Sequence, residues 1–167
     1  FVQPLPFATL EADYPMLNGR GYPDTISPGV LPAPADDAAG KMTGNAGEIL
    51  NNGEPTQVEN ALITVNSGEK ILLHLNNVSI DRFYTITAQG LTMQVVGTGA
   101  RHGRGIDGKN IYLETTSVNT GGGETKDILI DTTGVAPGTY FLYATELHQM
   151  SNLTELDGGM ITEIVVN

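Results

Sequence analysis

Cysteine is absent from all 167 residues, and so is tryptophan. The first absence removes disulfides, thiolate nucleophiles, iron–sulfur clusters and cysteine-type zinc sites from this chain. It also removes any blue-copper centre, whose strong ligand is a cysteine thiolate. Positive charge is scarce: eight Lys and Arg stand against nineteen Asp and Glu, for a formal charge of −11. Binding to a phosphate backbone needs a cationic face, so no nucleic-acid partner is expected. The chain has no run of about 18 apolar residues, so no membrane-spanning helix is expected. The chain opens at Phe1 without a signal-peptide pattern, which reads as processing or as excision from something longer.

What is present is turn chemistry. Twenty-one Gly and nine Pro point to many short elements. Residues 1–57 are rich in Pro, Gly, Ala, Asn and acids with little periodicity, as in "SPGVLPAPADDAAGKMTGNAGEILNNGEP". This predicts an extended or irregular arm lying over a surface. Inside it, Asn18-Gly19 is a strong hairpin-turn signal. From residue 58 the pattern becomes regular. "ALITVNSG", "EKILLHLNN", "RFYTITAQG", "TMQVVGTG", "NIYLETTSVNT", "TKDILIDTTG", "TYFLYATEL" and "MITEIVVN" are short β-branched, aromatic or Leu runs closed by turn residues. That spacing predicts an all-β sandwich or barrel over residues 58–167, with the arm part of the same structural domain. No segment sustains a helical period, and "ATELHQMSNL" is expected to make a short helical turn at most.

Three histidines are the candidate ligands. In "KILLHLNN", Leu73 and Leu75 share the face expected to be buried, which puts His74 on the outer face. His102 lies in "GARHGRGIDGKN" with Arg101, Arg104 and Lys109, the one cationic cluster of an acidic chain. That cluster could hold an anion or pair with an acidic neighbouring domain, the plainer reading being a solvated loop. Its Gly spacing is superficially that of a phosphate loop, but no helix pattern follows and no Lys-Ser/Thr ends it. His148 and Met150 are the remaining soft or borderline ligand types, too few for a copper or zinc site needing three or four donors. No nucleophile elbow marks a catalytic serine. Asp36-Asp37 reads as a solvated acidic turn. Asn77-Val78-Ser79 and Asn152-Leu153-Thr154 match the glycosylation pattern, which matters only in a secreted setting.

The ordered segments "LNGRGYPDT", "GEKILLHLNN", "GETKDILI", "APGTYFLY" and "GGMITEIVVN" together resemble a cupredoxin domain of the multicopper oxidases. The resemblance covers roughly residues 14–26 and 58–167 and implies a Greek-key β-sandwich or barrel. The family's "HPxHxHG" copper motif would fall on "RFYTIT", with Arg82, Thr85 and Thr87 at the histidine positions. Its "FHCHxxxH" motif would fall on "FLYATELH". Phe141 matches there, Leu142, Tyr143 and Ala144 replace His, Cys and His, and His148 survives. The resemblance therefore implies a copperless domain of the middle, second-domain type, with copper in the parent protein and none in this chain. It implies neighbouring cupredoxin domains as partners, a periplasmic or extracellular setting, and weak self-association where those neighbours are absent. The segment 27–57 departs from the family pattern. Two other readings stay open: a stand-alone copper-free β-sandwich that binds through its loops, and an enzyme using a weak metal site near His148.

Overall fold

A computed structural model describes residues 12–36, 40, 43–153 and 155–167. Strands form where apolar and polar residues alternate, because a two-residue period places every second side chain on one face. In chain order they are β1 (Ile63–Val65), β2 (Lys70–Asn76), β3 (Tyr84–Ala88), β4 (Met93–Thr98), β5 (Arg101–His102) and β6 (Leu113–Thr115). These are followed by β7 (Ser117–Thr120), β8 (Thr125–Asp131), β9 (Gly138–Ala144), β10 (Ser151–Asn152), β11 (Glu155–Leu156) and β12 (Ile161–Val166). One sheet runs β1-β12-β9-β3-β7 and the other β2-β8-β4-β5, with β6 also paired to β4. The β1–β12 pair is parallel, and the remaining ladders are antiparallel. β10 and β11 form a separate small hairpin.

The chain crosses between sheets at β1–β2, β2–β3, β3–β4, β6–β7, β7–β8 and β8–β9, which makes the Greek-key sandwich. The "NIYLETTSVNT" run divides at Thr116, where β6 of one sheet hands over to β7 of the other. Between the sheets lie Ile86 and Ala88 of β3, Ile128 and Ile130 of β8, Leu142 and Ala144 of β9, and Ile164 and Val166 of β12. The core is almost wholly aliphatic. On β2 the alternation places Leu73 and Leu75 against the core and leaves Leu72 and His74 exposed. A bulge near Val96 shifts the β4–β8 register and sets Gly97 opposite Asp127. A Cβ at Gly97 would lie 2.7 Å from Asp127 Oδ2, so any other residue there would push the carboxylate aside.

The arm is irregular but not loose. Leu17 and Arg20 exchange two backbone bonds of 2.9 Å around Asn18-Gly19, whose φ values of 50° and 78° are those of a type I′ turn. That turn delivers Arg20 into the interior, 2 % exposed. Its Nη1 donates to the carbonyls of Asp24 (3.0 Å) and Ser27 (2.8 Å), and its Nη2 to those of Gly29 (2.8 Å) and Gln57 (2.6 Å). One guanidinium thus serves carbonyls that no strand ladder could reach. Thr25 ties the same region to the sandwich: its hydroxyl donates to Ile161 O (2.8 Å) and its carbonyl accepts from Ala61 N (2.7 Å). Farther out, Leu31 pairs with Thr56 and Ala35 with Ile49 in a two-stranded ribbon.

Asp36 corrects the reading of a solvated acidic turn. It is 5 % exposed and accepts from the backbone N (2.7 Å) and hydroxyl (2.9 Å) of Thr43, so it organises the ribbon's end from inside. Asp37 lies outside the described residues.

Two expectations follow. Arg20→Met, which keeps volume but removes the donors, should destabilise the protein by about 3 kcal/mol, because four part-buried carbonyls lose their bonds to a buried charged partner. Urea unfolding measures this, and an unchanged midpoint would contradict it. At the end of β8, bonds from the Thr133 hydroxyl and backbone, and then Lys70, lower the Asp131 carboxyl from 3.8 to about 2. Its folded value lies below its unfolded one, so its contribution is present above about pH 4 and fades as pH falls towards about 2. Asp131→Asn should flatten the pH dependence of the urea midpoint across that window and leave its shape near neutrality unchanged.

Candidate functional site

The positions where the family's copper motifs would fall lie mainly on β3 and β9, which are paired neighbours. Their register sets Ile86 opposite Ala144 and Thr87 opposite Tyr143. Alternation along β9 turns Leu142 and Ala144 into the core, 7 % and 1 % exposed, with Tyr143 on the outer face. On β3, Thr85 Oγ1 accepts from Asn119 Nδ2 (2.9 Å), and the Thr87 hydroxyl donates to Thr116 O (2.7 Å). Arg82, just ahead of β3, lies 3.8 Å from the Asp81 carboxylate. Each side chain therefore already has a structural use. Aliphatic carbons and hydroxyls engaged in sheet bonds do not supply the imidazole and thiolate donation that a copper site takes, so this donor set does not fit the metal.

The surviving His148 sits on a 3₁₀ turn, Leu147–Met150, as the helical-turn signal in the sequence suggested. It is exposed, with Nε2 3.5 Å from Glu146 Oε2. Met150 turns elsewhere, into a hollow of about 470 Å³ on the outer face of β9 and β12 lined by Tyr22, Gln89, Phe141, Tyr143, Asp157 and Ile161. The two candidate ligands do not converge. Among the described residues no three His, Cys, Asp or Glu side chains come together as a metal site would require. Beside this hollow, Tyr22 donates to Glu163 Oε1 at 3.0 Å, and the carboxylate holds the phenol's pKa above its ordinary range.

His74 lies on the outer face of β2 and pairs with Asp127, Nδ1 to Oδ1 at 2.7 Å. The cationic cluster lies on the extension joining β4 to β6. Arg101 and His102 form β5 against Thr98 and Gly97. The His102 ring meets Tyr112 edge-on at 5.6 Å, and Nε2 lies 3.1 Å from the phenol oxygen. Arg104 bridges to Asn110, and Lys109 Nζ lies 3.6 Å from Asp107. All four cluster residues, Arg101, His102, Arg104 and Lys109, are exposed.

Both glycosylation-like asparagines have structural work that their local sequence does not announce. Asn77 is 4 % exposed, and its Nδ2 donates to Arg82 O (3.0 Å) and Thr120 O (2.8 Å). Its Oδ1 accepts from Ser79 N (2.9 Å), which locks the β2–β3 loop. Asn152 donates to Tyr22 O (3.2 Å) and accepts from Gly159 N (2.9 Å), joining arm to sandwich. A glycan on either Nδ2 would take a donor already in use.

A two-sheet Greek-key sandwich with ligand positions on adjacent strands is the architecture of a cupredoxin-type domain. Residues 12–167 match the family model described as multicopper oxidase, and the chain belongs to that family. Solved structures agree on the fold. The blue copper oxidase from Nitrosomonas europaea superposes with a TM-score of 0.54 at 20 % identity, covering 85 % of this chain and 44 % of that one. The multicopper oxidase mgLAC gives 0.55 at 16 % identity, covering 83 % and 43 %. A mutant of the laccase from B. aclada gives 0.50 at 17 % identity, covering 77 % and 21 %. This chain therefore spans less than half the length of each. No curated protein matches.

Asn77→Ala should lower stability by about 2 kcal/mol, the cost of the amide bonds lost to Thr120 O and Arg82 O and of a freed loop. Thermal unfolding tests this, and a fully retained Tm would show that the loop is held by other bonds.

Proposed function

We propose that this chain is a non-catalytic cupredoxin-like module of a larger copper-dependent oxidoreductase. In that protein it spaces and docks the domains that carry the metal, and it binds no copper itself. The observation that carries this reading is the employment of the ligand positions: Leu142 and Ala144 complete the core, and Thr85 and Thr87 are spent on sheet contacts. A frame kept with its ligand positions filled in this way supports a structural role. The share of the related structures that this chain spans, 21–44 %, is consistent with one domain of several. A setting in the periplasm or outside the cell belongs to the same proposal and rests on family resemblance.

The test is the intact mass and copper content of the native protein, together with copper titration of this chain. The reading expects a native mass several domains larger, with copper held elsewhere and no blue absorption band from this chain. Stoichiometric, tightly held copper with a blue band in this chain would overturn it. A native mass equal to this chain's, without metal, would replace it with the stand-alone binding module.

A further inference from the structure

The extension between β4 and β6 is an ordered projection. Gly103 N donates to Val96 O (2.7 Å), Ile111 N to Gly103 O (2.9 Å) and Gly105 N to Lys109 O (2.8 Å), and the His102–Tyr112 contact braces its base. On this braced scaffold Ile106 is fully exposed, and Ile111 and Leu113 are 66 % and 64 % exposed. Interleaved with them are Arg101, Arg104 and Lys109, three of the chain's eight cationic residues, with the carboxylates of Asp107 and Glu114 beside them. Aliphatic side chains held in water by a rigid hairpin mark a contact surface, because ordering was completed before any partner arrived.

The complementary chemistry is present on the same molecule. The ribbon of residues 30–58 and the residue after it expose Val30, Ile49 and Val58 together with Glu48, Glu54 and Glu59. One surface is aliphatic and cationic, the other aliphatic and anionic. They lie at opposite edges of the sandwich. The projection leaves from the β5–β6 edge, next to the crossing into β7. The ribbon is tied through Arg20 and Thr25 to β12 and the segment leading into β1. Both surfaces are exposed, so neither covers the other within this structure.

We infer that the projection of one copy docks on the acidic ribbon of a second copy, giving a heterologous, head-to-tail association steered by charge. Such an interface repeats until rotation closes a ring or a chain of subunits extends. The net charge of −11 opposes close approach in general, whereas this pairing brings unlike charges together. The inference does not depend on whether the chain binds copper, and its failure would leave the structural reading above untouched.

Sedimentation velocity of the protein from micromolar to millimolar concentration tests it. The protein should associate with rising concentration, less so at high salt, where screening shortens to a few ångströms. Arg101→Glu with Arg104→Glu should weaken association about tenfold or more, and Glu54→Lys with Glu59→Lys should do the same. Carrying all four changes in one chain should restore it. The substituted side chains are solvent-exposed, and an unchanged near-ultraviolet dichroism spectrum will confirm folding. A monomer at every concentration, or association indifferent to the projection's charge, overturns the inference. So does failure of the fourfold variant to re-associate. A monomer whose projection instead binds anionic phosphatidylserine vesicles overturns it in favour of a lipid surface.

Discussion

The arm holds its shape because of one buried guanidinium. Backbone that forms no ladder still carries a donor and an acceptor at each residue, and burial without partners costs about 1–3 kcal/mol per group. Arg20 resolves this by directing its terminal nitrogens at carbonyls from four positions spread over residues 24–57. Lysine could not do the same, since its single ammonium lacks the planar fork. Once Arg20 is seated, Thr25 reaches β12, Tyr22 reaches Glu163, and Asn152 reaches back to the arm. The arm thereby becomes a fixed wall of the domain.

The second constraint is core volume. A cupredoxin frame places the family's ligand positions beside the seam between the sheets, where a metal site would interrupt aliphatic packing with polar donors. Here the inward positions of β9 carry Leu142 and Ala144, and they join Ile86, Ile128, Ile130 and Ile164 in one unbroken cluster. Burying a leucine-sized side chain contributes about 1.5–3 kcal/mol, so Leu142 stabilises the seam between the sheets. The same logic gives β3 its threonines, which bond to β7 and to the turn before it and sew the β3–β7 edge together.

Charge follows a similar division. Most of the acidity is spread over exposed turns and the ribbon, where it keeps the molecule hydrated and its copies apart. Three of the eight cations are gathered on one projection whose backbone is pinned by bonds from Gly103 and Gly105 and by a histidine–tyrosine contact. Position, more than net charge, decides what such a cluster can meet.

Much of this was legible from residue order. Period-two alternation located the strands, Asn18-Gly19 announced its turn, and the flanking leucines placed His74 outside, because each depends on neighbours only a few residues away. The empty ligand positions were also readable, since a missing side chain needs no geometry to be missing. What the alternation could not reveal were interactions between distant residues. Asp36 looked like part of a solvated turn and is buried under Thr43. Asn77 and Asn152 looked like modification sites and are structural bolts. Nothing in the residues around Arg20 marks its role, because one of its acceptors lies 37 residues away. Sequence by itself determined the all-β class, the strand positions and the loss of ligands, through local sterics and hydrophobic period. Tertiary structure alone decided which polar groups are buried and what satisfies them, because that depends on which distant carbonyls the fold brings within hydrogen-bond reach.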